Sequence, residues 1–169
     1  MLNSLHDLYV EQLRDLYNAE TQLVGALPRM MSAASSPQLK DAFQLHLNQT
    51  REHVTRLNQI FNQLGQSPVG EKCAAMEGLL KEGEQLMNEP GDPSVKDAAL
   101  IAAAQRVEHY EIAGYGTVKA YAKFLDFDEA ADLLDKTLDE EGETDKALTK
   151  LATGGMFTGG INKDAKKRK

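Results

Sequence analysis

VEHYEIAGYGTV, residues 107–118, places an acid where a helix would want an apolar residue. At about 100° per residue, Glu111 falls in line with Val107, Tyr115 and Val118, and Glu108 lies one turn away. A carboxylate taken out of water is costly unless it is paired, protonated or bound to a cation. In one helix the oddity means little. Repeated on neighbouring helices, it defines both a fold and a site.

The chain-wide numbers suit a soluble globular protein. Its 169 residues are enough for one domain with a real core, and it is 41% hydrophobic and 27% charged. The formal net charge of −7 disfavours general affinity for nucleic acid or an anionic membrane. A single cysteine, Cys73, excludes an intrachain disulfide framework or a cysteine-rich zinc site and fits a reducing compartment. No apolar run approaches ~18 residues, and the opening MLNSLHDLYVEQL is too polar for a signal peptide or membrane span. The expected location is cytoplasmic, with no membrane partner.

Helical periodicity dominates, and no useful stretch alternates with period two. A first helix is predicted over about residues 2–33 and a second from the Ser35–Ser36–Pro37 break to about residue 64, ended by Gly65. The connection that follows holds a shorter amphipathic helix, about residues 71–87. EPGDPS then breaks the chain and supplies a capping serine. Two further long helices span about residues 95–125 and 128–152, joined by the short DFD. Two hairpins separated by a long crossover predict an all-α, ferritin-like four-helix bundle, with the additional short helix in the crossover. Residues 1–153 form this bundle in the sequence reading, and 154–169 a flexible, Gly-rich and then basic tail.

Each long helix repeats the fault of the opening stretch. Glu20 points to the centre of a stripe made by Leu13, Leu16, Val24 and Leu27; Glu141 lines up with Ala130, Leu134 and Leu148, with Asp145 one turn on. The second helix turns His46 and His53 inward with Thr50 between them, whereas Glu52 points to solvent. No lysine or arginine is expected on these stripes. All of these groups lie near the midpoints of their helices, and midpoints of antiparallel helices meet at one height. Taken singly, a glutamate on a core stripe reads as a misjudged register, a histidine as a hydrogen-bonded core group, and Glu-x-x-Glu as a solvated face. Together, four carboxylates and two imidazoles would converge in the core, and the four acids would repel one another strongly without positive partners. Glu20, His46, His53, Glu108, Glu111 and Glu141 are therefore the candidate ligands, and carboxylate with imidazole suits two ions of iron or manganese.

The segments LRDLYNAETQL, FQLHLNQT, KCAAMEGLLKEG, KDAALIAAAQRVEHYEIAGYGT and TLDEEGETDKALTKLA resemble the YciF/YciE family of bacterial stress proteins, over residues 2–152. The resemblance implies a ferritin-like bundle, typically a homodimer, associated with stress and with iron or manganese. By position it carries the acidic centre to Glu20, Glu108, Glu111 and Glu141, with His46 on the second helix. Two departures stand out. Gln49 occupies the place of a glutamate in the block HLxET, which weakens the case for a second ion, with inward His53 the group that would compensate. Thr144 stands where better-known di-iron bundles place a ligating histidine.

A carboxylate-rich pair of metal ions implies peroxide, dioxygen or ferrous-iron oxidation chemistry. Tyr17, Tyr110 and Tyr115 lie near the same height, with Tyr115 inward and read as core packing. The competing reading is a non-enzymatic oligomeric stress or scaffold protein whose acids share protons around one metal or none. Lys163, Lys166, Lys167, Arg168 and Lys169 permit a phosphate-binding arm, but the acidic remainder makes nucleic acid an unfavoured partner. Cys73 reads as a half-buried small hydrophobe on the crossover helix.

Overall fold

A computed structural model describes residues 2–155 and 158–166. Four long helices form the bundle: α1 (Leu5–Ala33), α2 (Pro37–Leu64), α4 (Pro93–Phe124) and α5 (Asp128–Thr153). α3 (Ala74–Asn88) lies in the crossover and packs across α1 and α4. α1 pairs with α2 and α4 with α5, and α1·α4 and α2·α5 packing closes the ring. The expected four-helix bundle with a helix in its crossover is the observed architecture. Among the described residues, no helix is long and apolar enough to cross a membrane.

Local chemistry sets the ends. Ser4 caps α1 by accepting the Asp7 amide, so the helix starts at Leu5 rather than residue 2. Pro37 occupies the first turn of α2, and Gly65 ends it at φ 63°, a left-handed conformation that glycine adopts without a Cβ clash. Cys73 caps α3, and its sulfur accepts the Met76 amide at 3.4 Å; the residue is buried, not half-buried as expected. The cap of α4 is Asp92, whose side chain accepts the Ser94 amide, so aspartate takes the role expected of the serine. Buried Asp97 ties the α1–α2 turn to α4: it accepts from Ser35 N at 2.7 Å, Ser35 Oγ at 2.5 Å and Ser36 N at 2.8 Å.

The C-terminal segment departs from the expected tail. Gly154–Gly155 pairs antiparallel with Thr158–Gly159, and α6 (Ile161–Lys166) folds back onto α4 and α5. One partly buried residue, Ile161, packs against the main core, too little pattern to announce a helix in the sequence. Of the basic arm, Lys163 and Lys166 lie on α6, whereas Lys167, Arg168 and Lys169 fall outside the described residues.

The apolar core comes in two halves. One gathers Leu23, Leu27, Phe43, Met76, Leu100, Val107 and Leu148; the other gathers Tyr9, Leu13, Leu57, Phe61, Tyr115, Val118 and Leu134. On α2 the halves are separated by residues 48–56, on α4 by 108–114 and on α5 by 135–147. A polar layer fills that gap.

Candidate metal centre

The layer is built by geometry that the sequence dictates. His46 and His53 are two turns apart on α2 and share its inner face, as Glu108 and Glu111 do on α4. Glu20 enters from α1 and Glu141 from α5. None of the six is more than 2% exposed. They form two groups: His46, Glu108, Glu111 and Glu141, and then Glu20, His53 and Glu141, with ligating atoms inside each group within 4.8 Å of one another.

Glu141 belongs to both groups and divides its oxygens between them. Its Oε1 lies 3.0 Å from His53 Nδ1, and its Oε2 lies 3.9 Å from His46 Nε2. His46 Nε2 is also 3.2 Å from Glu108 Oε1, and His53 Nδ1 is 3.2 Å from Glu20 Oε1. These approaches are short, yet they lack hydrogen-bond geometry. His46 Nε2, His53 Nδ1, Glu20 Oε2, Glu108 Oε2 and both oxygens of Glu111 and Glu141 are buried without hydrogen-bond partners. Native proteins rarely leave such atoms unpaired, let alone in one layer. Ligand atoms gathered within 4.8 Å of one another, and without hydrogen bonds of their own, are what a cation site requires, so the residues present fit divalent metal.

The opposite edges of the rings are engaged. Thr144 Oγ1 donates to the Glu140 carbonyl at 3.0 Å and lies 3.4 Å from His46 Nδ1. With its proton committed, that hydroxyl is an acceptor for Nδ1–H, which leaves Nε2 bare toward the layer. α2 thus delivers an imidazole beside the position where a histidine on the last long helix was absent. Tyr115 is packed in the core as expected, and its hydroxyl also donates to Glu20 Oε1 at 2.5 Å.

Several residues lie elsewhere. Gln49 is half-buried beside the layer, and Glu52 is exposed as expected. Asp145 stays outside both groups, half-exposed and bound by Gln105 at 2.9 Å, with His109 Nε2 3.4 Å away. Tyr17 packs edge-on against Phe61, and Tyr110 donates to Asp15 with Cys73 Sγ 3.1 Å from its oxygen. The expectation that no arginine enters the stripes is corrected by Arg56. It is buried, and its guanidinium forks onto Glu140 at 2.7 and 2.9 Å and reaches Thr137 Oγ1 at 3.0 Å. Neither Arg56 nor Glu140 stood out in the sequence. The available signal was spacing: Arg56 is three residues beyond His53 and shares its face.

Without cations, protons must hold the layer together. Burial, with Glu141 nearby, pushes Glu108 well above its ordinary value, and burial with Glu20 nearby does the same to Glu111. Burial also raises Glu20, against the pull of His53. Burial opposes ionisation of Glu141, but its contact with His53 and the charges of His46 and His53 outweigh that and hold it low. Burial lowers His46. At His53 burial works the same way, yet the carboxylates of Glu141 and Glu20 win and push it up to about 10. The cation-free layer is a protonated His53 beside an ionised Glu141, with protons on Glu108 and Glu111.

That arrangement fixes a pH dependence. The folded chain keeps protons on Glu108 and Glu111 that an unfolded chain sheds above the ordinary value of 4.5, so their contribution to stability falls as pH rises. His53 stabilises fully below its ordinary 6.5, and that contribution is lost as pH climbs through about 10. Both act in one direction; His46, held low by burial, acts in the other, but only through its ordinary 6.5, one group against three. The metal-free protein is expected to melt at a lower temperature at about pH 8.5 than at about pH 6, and Mn(II), which binds deprotonated ligands, to stabilise more at the higher pH. Thermal melts with chelator and with Mn(II) at both pH values check this; a chelated sample that gains stability with pH contradicts it.

A helical bundle with a long crossover and inward carboxylates and imidazoles from all four long helices belongs to the ferritin-like class. The same class appears among solved structures: ferritin-like, diiron-carboxylate proteins from Bacillus anthracis superpose with a TM-score of 0.68 over 89% of this chain and 99% of theirs, at 17% identity, a likeness of fold. Residues 4–165 match the family described as Domain of unknown function (DUF892), and the chain belongs to that family. Protein YciF of Escherichia coli (strain K12) is 40% identical over 163 residues, 96% of this chain and 98% of YciF. The crystal structure of that E. coli stress protein superposes with a TM-score of 0.88 at 38% identity, covering 98% of this chain and 99% of the other. YcfI from Rhodopseudomonas palustris gives 0.86 at 41% identity, over 89% and 96% of the two chains.

Proposed function

We propose that this protein is a cytoplasmic, homodimeric stress-response protein that holds two ions of iron or manganese in its buried layer and uses them to consume peroxide or dioxygen, or to oxidise ferrous iron. The observation that carries this reading is the set of unpartnered, convergent ligand atoms, fully buried and contributed by all four long helices. Such ions, when bound, supply redox chemistry that no side chain in the layer possesses. The chain's own part is to hold them. Glu141 offers one oxygen to each group, Glu108 and Glu111 add charge on the His46 side, and Tyr115 orients Glu20. The apolar halves above and below exclude water. The stress context is supported by the E. coli relative, which is named a stress protein.

The scaffold reading keeps one observation in its favour: protons and the His53 imidazolium can neutralise the layer without metal. Peroxide consumption separates the two. Protein loaded with Mn(II) or Fe(II) and freed of excess metal is expected to consume peroxide in proportion to bound ion, above the same metal in buffer. Loaded protein no faster than free metal contradicts the redox reading.

A further inference from the structure

Resting on the metal reading of the layer, we infer that Glu140, gripped by Arg56, is a positioning residue that fixes the tautomer and direction of His53. The two groups of ligands present different nitrogens: His46 turns Nε2 toward the layer, and His53 turns Nδ1. Something must hold His53 in this less extended pose, because an imidazole can turn over or shift its proton at little cost.

Glu140 supplies that hold. Its Oε2 lies 2.9 Å from His53 Nε2 and accepts from Arg56 Nη1 at 2.7 Å, while its Oε1 accepts from Arg56 Nη2 at 2.9 Å. Both Glu140 oxygens accept from the Arg56 guanidinium, so Glu140 meets the ring as a hydrogen-bond acceptor rather than a donor. An ionised carboxylate only accepts, so the proton between it and the ring resides on Nε2. Nδ1, which faces Glu20 and Glu141, is then the nitrogen that gives up its proton when a cation binds. The fork is rigid: a bidentate guanidinium fixes both carboxylate oxygens, and Arg56 is itself anchored to Thr137. Helix geometry makes the device cheap to build. His53 and Arg56 sit three residues apart on α2 and meet one α5 side chain, while the next residue, Glu141, turns into the layer. His46 meets the Thr144 hydroxyl at 3.4 Å rather than a clamped carboxylate, so the two imidazoles are held unequally.

The test uses the full chain loaded with Zn(II), a diamagnetic probe, and long-range nitrogen–proton correlation on ¹⁵N-histidine. Wild-type His53 is expected to carry its proton on Nε2 with Nδ1 shifted by the metal. Glu140→Ala is expected to lose that signature and to bind Zn(II) about 10- to 100-fold more weakly. Glu140→Gln retains an acceptor oxygen for Nε2–H and should recover the wild-type signature. A wild-type proton on Nδ1, or Glu140→Ala binding as tightly as wild type, overturns the inference while leaving the metal reading intact. Wild type that takes up no Zn(II), Mn(II) or Fe(II) overturns the metal reading itself. The wild-type spectrum decides even where Glu140→Ala fails to fold.

Discussion

Glu141→Ala is expected to abolish uptake of both ions. No other residue belongs to both ligand groups, and its two oxygens face His53 on one side and His46 on the other. Losing it leaves the Glu20–His53 pair with too few donors for a stable site, and strips one carboxylate from the His46 group. The same change weakens the metal-free fold, because Glu141 is the acid that stays ionised beside protonated His53. Breaking a buried pair on one side costs about 3–5 kcal/mol. Elemental analysis and urea denaturation of the variant measure both effects. A variant that retains wild-type metal content, or that unfolds at the wild-type urea midpoint, contradicts this account of the layer.

Glu111→Leu is expected to do the opposite to the metal-free protein. Both Glu111 oxygens are buried without partners, and the side chain keeps a proton because burial and Glu20 forbid its charge. Leucine is apolar and asks for no hydrogen bond, so the substitution removes a desolvation cost of about 1–3 kcal/mol. Melting temperature should rise in the presence of chelator. In the presence of Mn(II) the wild-type gain should shrink or vanish, since the His46 group has lost an anionic donor. The crossing of the two effects is the signature: a ligand costs stability when its cation is missing. A core glutamate with no ligand role would shift the melting temperature equally with chelator and with Mn(II), and that result would argue against a ligand role.

What the sequence made legible was periodic. Val107, Tyr115 and Val118 mark a face, and Glu111 interrupts it; the same arithmetic put Glu20, His46, His53, Glu108 and Glu141 on inner faces, where the structure has them. Their common height followed from antiparallel packing, because each lies near the middle of a long helix. The Arg56–Glu140 clasp was not legible. A long cationic side chain on a polar flank reads as solvated, and only the meeting of α2 with α5 shows that it is enclosed. Asp97 was hidden for a related reason: it satisfies the Ser35 and Ser36 amides across more than sixty positions of chain, so no local pattern announces it. α6 escaped because a helix of this length depends on the surface it packs against rather than on its own periodicity.

In the metal reading, divalent cations rather than shared protons neutralise the buried layer. The direct measurement is the metal-to-chain ratio of protein purified without chelator, incubated with Fe(II) or Mn(II) and freed of unbound metal. About two ions per chain are expected, retained through gel filtration and accompanied by a higher melting temperature. A protein that emerges metal-free from both incubations, with an unchanged melting temperature, would contradict it.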